Sequence, residues 1–161
     1  MPTKIAPCFW FDNQAEEAAR YYCGIFPDSK ITAISRYPES HNEKPAGSVL
    51  LVAFDLRGQS FTALNGGPHF QFNEAISFQI ECEDQKEVDY YWEALSKDGG
   101  QTQQCGWLTD KFGVTWQVVP KQLEMLMNDP DAAAAERVTK AMLAMTKLDV
   151  EGLEKAYRGD V

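Results

Sequence analysis

The chain has 161 residues, 44% of them hydrophobic and 24% charged, a make-up that fits one ordinary globular domain and excludes a disordered or fibrous chain. Its formal net charge of −9, with basic residues that form no cluster, speaks against nucleic acid and anionic membrane as partners. No apolar run approaches the roughly 18 residues of a membrane span, residues 1–7 lack the apolar stretch of a secretory signal, and the four cysteines (Cys8, Cys23, Cys82, Cys105) are widely spaced, so reduced, mostly buried thiols and a cytoplasmic address are expected.

Ile5 to Phe11 is an apolar, aromatic run of strand length, and Asp12-Asn13 ends it and offers an N-cap for a helix. Ala15, Ala18, Ala19 and Tyr22 recur at the i, i+3, i+4, i+7 spacing of a helix face, with Glu16, Glu17 and Arg20 on the other side. Gly24 and Pro27 close that helix. Ser29 to Tyr37 predicts a strand, Pro38 to Gly47 a polar loop, and Ser48 to Leu56 a second strand. After the turn Arg57-Gly58, Gln59 to Asn65 returns as a third and stops at Asn65-Gly66-Gly67-Pro68, which cannot continue a sheet.

The same order then repeats. Ala75 to Cys82 predicts a strand and Asp84 an N-cap, with Glu87 completing a capping box. Val88, Tyr91, Trp92 and Leu95 form the next helix face. Short strands near Gln101 to Cys105 and Gly106 to Thr109 lead through Asp110-Lys111-Phe112-Gly113 to a last strand, Val114 to Pro120. Gly58 with Phe61 matches Gly113 with Trp116 at an offset of 55, against 71 to 73 for the first strand and helix, so the repeat is a whole βαβββ module. The tail from Lys121 to Val161 predicts helices, one capped by Asp131 and carrying Val138, Ala141, Met142 and Met145, another capped by Asp149 and carrying Val150, Leu153 and Tyr157. The expected class is α+β: paired modules over 1–120 (5–65 and 75–120), with residues 121–161 packed on the same domain.

The two modules, Asn65-Gly66-Gly67-Pro68, the helix Glu87-Val88-Asp89-Tyr90-Tyr91-Trp92, and the run Cys105-Gly106-Trp107 through Asp110-Lys111-Phe112-Gly113-Val114-Thr115-Trp116-Gln117 resemble the PhnB-like branch of the vicinal-oxygen-chelate superfamily. The resemblance covers Ile5 to Pro120, and the tail around Lys147-Leu148-Asp149 also looks like this branch. It implies the vicinal-oxygen-chelate fold, shared by glyoxalase I, extradiol dioxygenases, fosfomycin-resistance enzymes and metal-free bleomycin-binding proteins, so the fold alone leaves function open. The branch often goes by the name demethylubiquinone methyltransferase. Binding S-adenosylmethionine would usually call for a Gly-rich turn between a parallel strand and a helix, and neither Gly66-Gly67-Pro68 nor Gly99-Gly100 is placed that way.

Strands alternate faces, so the apolar residues facing a helix reveal which residues face the concave cleft. Ile76, Phe78, Ile80 and Cys82 form the helix-facing set of their strand, which sends Ala75, Ser77, Gln79 and Glu81 to the cleft. Val114, Trp116 and Val118 likewise leave Thr115, Gln117 and Val119 inward, and repeat symmetry puts Thr62 and Leu64 there too. Both faces of the first strand are apolar; matching it to superfamily members implies that Pro7, Phe9 and Phe11 face inward. The expected ligand-binding set is Phe9, Phe11, Thr62, Leu64, Ser77, Gln79 and Gln117, aromatic walls with neutral polar groups to orient a small molecule.

Metal-dependent members place a His or Glu on the first and last strand of each module. The matching positions are Pro7, Thr62, Ala75 and Gln117, none an ordinary ligand for a divalent ion, so neither metal nor cofactor is expected. His41 and His69 read as surface-loop residues, with His69 near enough to the Gly-Gly-Pro turn to reach the cleft mouth. Cys105 reads as a buried structural thiol and Asp110 as a turn former, which leaves no catalytic residue assigned. The reading is a small-molecule binding or metal-independent protein; the alternative is a divalent-metal-dependent lyase, transferase or dioxygenase. A homodimer is expected, with a swapped path through the nine-residue linker Gly66 to Glu74 as one route to it.

Overall fold

The computed structural model describes residues 3–160; Met1 and Pro2, at the head of the segment read for a signal, and Val161, at the end of the helical tail, lie outside the described residues. The chain divides into two compact units, one ending at Gln71 and the other beginning at Phe72. The first runs β1 (Cys8–Phe11), α1 (Ala15–Ile25), β2 (Lys30–Arg36), β3 (Val49–Leu56) and β4 (Gln59–Asn65). The second runs β5 (Phe78–Cys82), α2 (Gln85–Ser96), β6 (Gln101–Thr102), β7 (Trp107–Thr109) and β8 (Thr115–Pro120), followed by α3 (Lys121–Met127), α4 (Ala132–Ala144) and α5 (Val150–Arg158).

Each unit holds a four-stranded sheet of the same design, ordered β1-β4-β3-β2 in one and β5-β8-β7-β6 in the other, with the outer pair β1/β4 or β5/β8 parallel and the rest antiparallel. The α+β class with two βαβββ modules and C-terminal helices is therefore the observed architecture. Register carries the repeat at single-residue resolution: Cys8 lies opposite Thr62 and Gln79 opposite Gln117, the same pair displaced by 71 residues on the first strand and 55 on the last.

In the first unit, α1 forms because its small and aromatic stripe of Ala15, Ala18, Ala19 and Tyr22 is fully buried against one face of the sheet. That face carries Phe9 and Phe11 from β1, Val52 and Phe54 from β3, and Phe61 and Ala63 from β4. Its centre is a ring cluster in which Phe9 meets Tyr22 at 6.0 Å and Phe61 at 5.6 Å, while Phe54 stacks on Phe61 at 5.5 Å.

The cap of α1 comes from the far end of the module. Gln14, not Asp12 or Asn13, precedes the helix and makes no side-chain cap bond. Instead, Asn65 Oδ1 accepts from the Ala15 amide at 2.9 Å, its Nδ2 donates to the Val49 carbonyl at 3.1 Å, and its own carbonyl accepts from the Tyr37 hydroxyl at 2.7 Å. One buried amide thus ties the ends of α1, β3 and β4 together, satisfying a helix donor that local sequence leaves open.

In the second unit, Val88, Tyr91 and Leu95 of α2 cover Cys82, Leu108, Trp116 and Val118. Asp84 Oδ1 accepts from the Glu87 amide at 3.0 Å, and Glu87 reaches back to the Glu83 amide at 2.8 Å, a capping box displaced by one residue from the expected form. Three strand boundaries differ by more than one residue from those expected of the sequence. Strand β5 begins at Phe78, so Ala75 and Ile76 precede it and Ile76 is 72% exposed. Strand β1 begins at Cys8, three residues later than expected. Strand β6 is only two residues long, because Cys105 and Gly106 take positive φ and turn away from the sheet.

That turn fastens the tail. The Cys105 and Gly106 amides donate to the Met145 and Thr146 carbonyls, each at 2.8 Å. A β-carbon at Gly106 would lie 2.8 Å from the Val118 carbonyl oxygen and 3.0 Å from Leu148, so a side chain is excluded by space as well as by φ. Gln85 of α2 completes the joint, donating to the Leu148 carbonyl at 3.1 Å and accepting from the Val150 amide at 2.7 Å, with Lys147 on Asp89 beside it at 2.6 Å. Asp131 and Asp149 cap α4 and α5 as expected. Leu123, Val138, Leu148 and Leu153 form the buried centre of the helices, wrapped by Met142, Met145 and Tyr157, so the Met-rich faces are packing surface.

Candidate functional site

The side chains with chemistry to offer stand on the sheet faces turned away from α1 and α2. In the first unit that face carries Cys8 and Trp10 of β1, Leu51 and Ala53 of β3, and Thr62 and Leu64 of β4; Cys8 is exposed and the others are half-buried. Thr62 and Leu64 stand where alternation placed them. Phe9 and Phe11 do not: they are 3% and 4% exposed and packed on the α1 side, so β1 presents Trp10 and Cys8 in their place. Both faces of β1 are apolar, and the deciding signal lies in other elements: only the phase of Phe54, Phe61 and Tyr22 shows which side needs aromatic filling.

Trp10 is held in a fixed pose. Its indole Nε1 donates to the Gly67 carbonyl at 2.8 Å, its ring meets the Phe70 ring edge-on at 5.0 Å, and the ring occupies the space a β-carbon on Gly66 would need. The Gly66-Gly67-Pro68 segment, legible in the sequence only as a strand stop, is therefore also the cradle of an aromatic ring. His69 is exposed, as is His41, which stacks on Tyr37 at 6.1 Å.

In the second unit the corresponding face carries Ser77 and Gln79 beside Thr115, Gln117 and Val119, as alternation predicts. The polar members form a row. Gln117 Nε2 donates to Ser77 Oγ at 2.8 Å, and Gln79 Nε2 donates to Gln117 Oε1 at a longer 3.4 Å. This fixes the Gln117 amide through both ends, while the Gln79 carbonyl oxygen takes no part in the row and can accept from a ligand. Thr115 stands next along β8 on the same face, 1% exposed, and its hydroxyl has no hydrogen-bond partner among the described residues.

Where this row meets α3 the surface opens into a cleft of about 430 Å³, lined by Gln79, Glu81 and Val119 from the sheet and by Leu123, Glu124 and Met127 from the helix, among others. Its size falls in the range of small-molecule sites, and its wall combines apolar, neutral polar and charged groups. Lys121 at its edge is paired with Glu83, whose carboxylate raises the lysine's pKa. Sequence reasoning missed this cleft because nothing in the pattern of Lys121 to Met127 tells where that short helix lies.

Behind the row, the indole of Trp116 is 3% exposed on the α2 side and donates to Asp110 Oδ2 at 2.9 Å. Asp110 Oδ1 accepts from the Phe112 and Val114 amides at 2.9 and 3.1 Å. Asp110 is the turn former expected, and it also holds Trp116. The cysteines are less buried than expected: only Cys82 is buried, Cys23 and Cys105 are intermediate, and the Cys105 sulfur lies 3.9 Å from the Leu143 carbonyl. Burial, with the Glu87 carboxylate adding to it, pushes the Cys82 thiol up to about 12, which makes it a poor nucleophile.

No helix among the described residues is long and apolar enough to cross a membrane. No curated protein matches the sequence. The PhnB protein of Bacillus cereus is 34% identical, covers 73% of this chain and 99% of its own, and superposes with a TM-score of 0.66. A Pseudomonas aeruginosa protein shares the fold at 20% identity and a TM-score of 0.62, over 74% of this chain and 98% of its own. The family model described as 3-demethylubiquinone-9 3-methyltransferase matches residues 3–119, both βαβββ modules up to the last strand but not the helical tail. The chain therefore belongs to this PhnB-like family and has the vicinal-oxygen-chelate fold.

Proposed function

We propose that this protein binds a small, partly apolar organic molecule, without a metal ion, on the face of its second sheet turned away from α2, where α3 adds a wall. The observation that supports this most is the continuity of the Ser77–Gln117–Gln79 row with the cleft: Gln79 belongs to both. Neutral amides and a hydroxyl orient a ligand by hydrogen bonding, and Val119, Leu123 and Met127 take its apolar part. Thr62 and Leu64, with Trp10 in place of Phe9 and Phe11, give the first module a surface of similar chemistry.

The residues do not fit the two groups the family suggests. Of the expected positions Pro7, Thr62, Ala75 and Gln117, Pro7 and Ala75 precede their strands, and register pairs Cys8 with Thr62 and Gln79 with Gln117; neither a thiol with a hydroxyl in the first unit nor two neutral amides in the second is a fit donor set for a divalent ion of the glyoxalase or dioxygenase type. For a methyl donor of the S-adenosylmethionine kind, the space at Gly66 is filled by the Trp10 ring, and Gly100 follows α2 packed against the Leu95 carbonyl and the Ser96 backbone, so neither opens a strand-to-helix phosphate or nucleoside cradle. The methyltransferase name is a family label that these residues do not support.

A thermal-shift screen over aromatic and cationic metabolites tests the reading, since a ligand that binds only the folded state raises its melting temperature. Compounds that stabilise the native chain and lose that effect in Gln117→Ala support it; stabilisation that is unchanged in Gln117→Ala contradicts it. We also propose a homodimer, because the face of the first sheet turned away from α1 is half-buried at Trp10, Leu51, Ala53, Thr62 and Leu64 and a second copy provides a matching one.

A further inference from the structure

We infer that the helical tail, and α3 above all, sets the ligand class of the second-module cleft, and that this class is an organic cation with an apolar body. The inference rests on the binding reading above and makes it specific.

The shared part of the family ends at residue 119, and the Bacillus cereus relative, aligned over 99% of its own length, leaves about a quarter of this chain without a counterpart. The cleft straddles that boundary. Gln79, Glu81 and Val119 are contributed by the shared sheet, whereas Lys121, Leu123, Glu124, Met127 and Asn128 belong to the part beyond it. The position of α3 is not incidental, because Leu123 is anchored in the buried centre of the tail and the tail is fastened to the module through Cys105, Gly106 and Gln85. Without the tail, Gln79 and Glu81 would lie on a bare sheet face.

The wall that results combines apolar groups, Val119, Leu123 and Met127, with two carboxylates, Glu81 from β5 and Glu124 from α3. The cation in the lining, Lys121, makes its salt bridge to Glu83, which lies outside the cleft, and one lysine against Glu81 and Glu124 leaves the lining net negative. An ammonium or guanidinium group set between Glu81 and Glu124, with a ring or alkyl body on Leu123 and Met127, matches this distribution. A carboxylate or phosphate ligand meets repulsion from both carboxylates.

Chemical-shift mapping on the isotope-labelled full chain, with benzyltrimethylammonium, benzyl alcohol and benzoate as probes of one body and three charges, tests it. Benzyltrimethylammonium is expected to shift the amides of Glu81, Val119, Leu123, Glu124 and Met127 and to bind more tightly than the other two. Glu81→Gln and Glu124→Gln should each weaken it about fivefold while leaving benzyl alcohol unchanged, the factor expected for one unit charge about 4 Å away in water. Met127→Ala should weaken all probes together. Equal binding of the three probes at these amides, or loss of the cation preference in neither glutamine variant, overturns the charge assignment and leaves the cleft reading intact. Perturbation of the sheet residues without those of α3 overturns the role of the tail. If no probe shifts any of these amides, both readings fall together.

Discussion

Phe9 and Gln117 are both strand residues of a βαβββ module, yet they perform opposite tasks. Phe9 fills the aromatic core between α1 and its sheet, so Phe9→Ala removes a buried ring and should cost about 3 to 5 kcal/mol in urea unfolding. Gln117 stands half-buried on the other face, and its loss should leave stability within about 1 kcal/mol, since only the Ser77 and Gln79 bonds go with it. Trp116, its immediate neighbour, behaves like Phe9: Trp116→Ala should cost about 3 to 5 kcal/mol, and a native-like melting curve would mean the strand faces are reversed. Among the cysteines, alkylation followed by peptide mapping at pH 8 should label exposed Cys8 first and Cys82 only on unfolding. The Cys82 thiol keeps its proton longer folded, with a value of about 12 against 9.0 for a free thiol, so its contribution to stability is complete below about pH 9 and is lost as pH rises through 12.

At the scale of elements, the sequence is most informative where one strong period governs a segment and least where a distant residue decides. The faces of α1 and α2 and the alternation of β4 and β8 were legible because apolar spacing alone sets them. The face of β1 was not, since Cys8, Phe9, Trp10 and Phe11 are apolar on both sides and the choice is made by Tyr22, Phe54 and Phe61. The cap of α1 was equally hidden, because its acceptor, Asn65, lies 50 residues away from Ala15. Asn65→Ala should therefore destabilise by about 2 kcal/mol or more, measured by chemical denaturation, although its sequence neighbourhood suggests only a strand end. At the joint of the tail, the Lys147 and Gln85 hydrogen bonds hold Asp89 below the usual carboxylate range. That contribution is present at neutral pH and in mild acid and is lost only as pH falls through the lowered value, so tail amides around Lys147, corrected for intrinsic exchange, should keep their protection in mild acid and lose it below the usual carboxylate range.

For the whole molecule, the repeat was the decisive sequence feature, and the pairings Cys8 with Thr62 and Gln79 with Gln117 express it as register. Half of the candidate site was legible with it: Ser77, Gln79, Gln117, Thr62 and Leu64 follow from strand phase. The cleft was not, because it depends on where α3 comes to lie after Pro120, a tertiary outcome with no local signal. If two copies associate as proposed, sedimentation at micromolar concentration should give about twice the mass of one 18.1 kDa chain; the mass of a single chain would refute the dimer. Ligand binding by the second module depends most directly on Gln79 and Gln117. Isothermal titration of the best compound from the thermal-shift screen into the wild-type chain and the Gln79→Ala/Gln117→Ala double variant, both confirmed folded by melting, should show affinity reduced about tenfold or more in the variant, the loss expected from about two hydrogen bonds to a ligand. Equal affinity in the two proteins would contradict it.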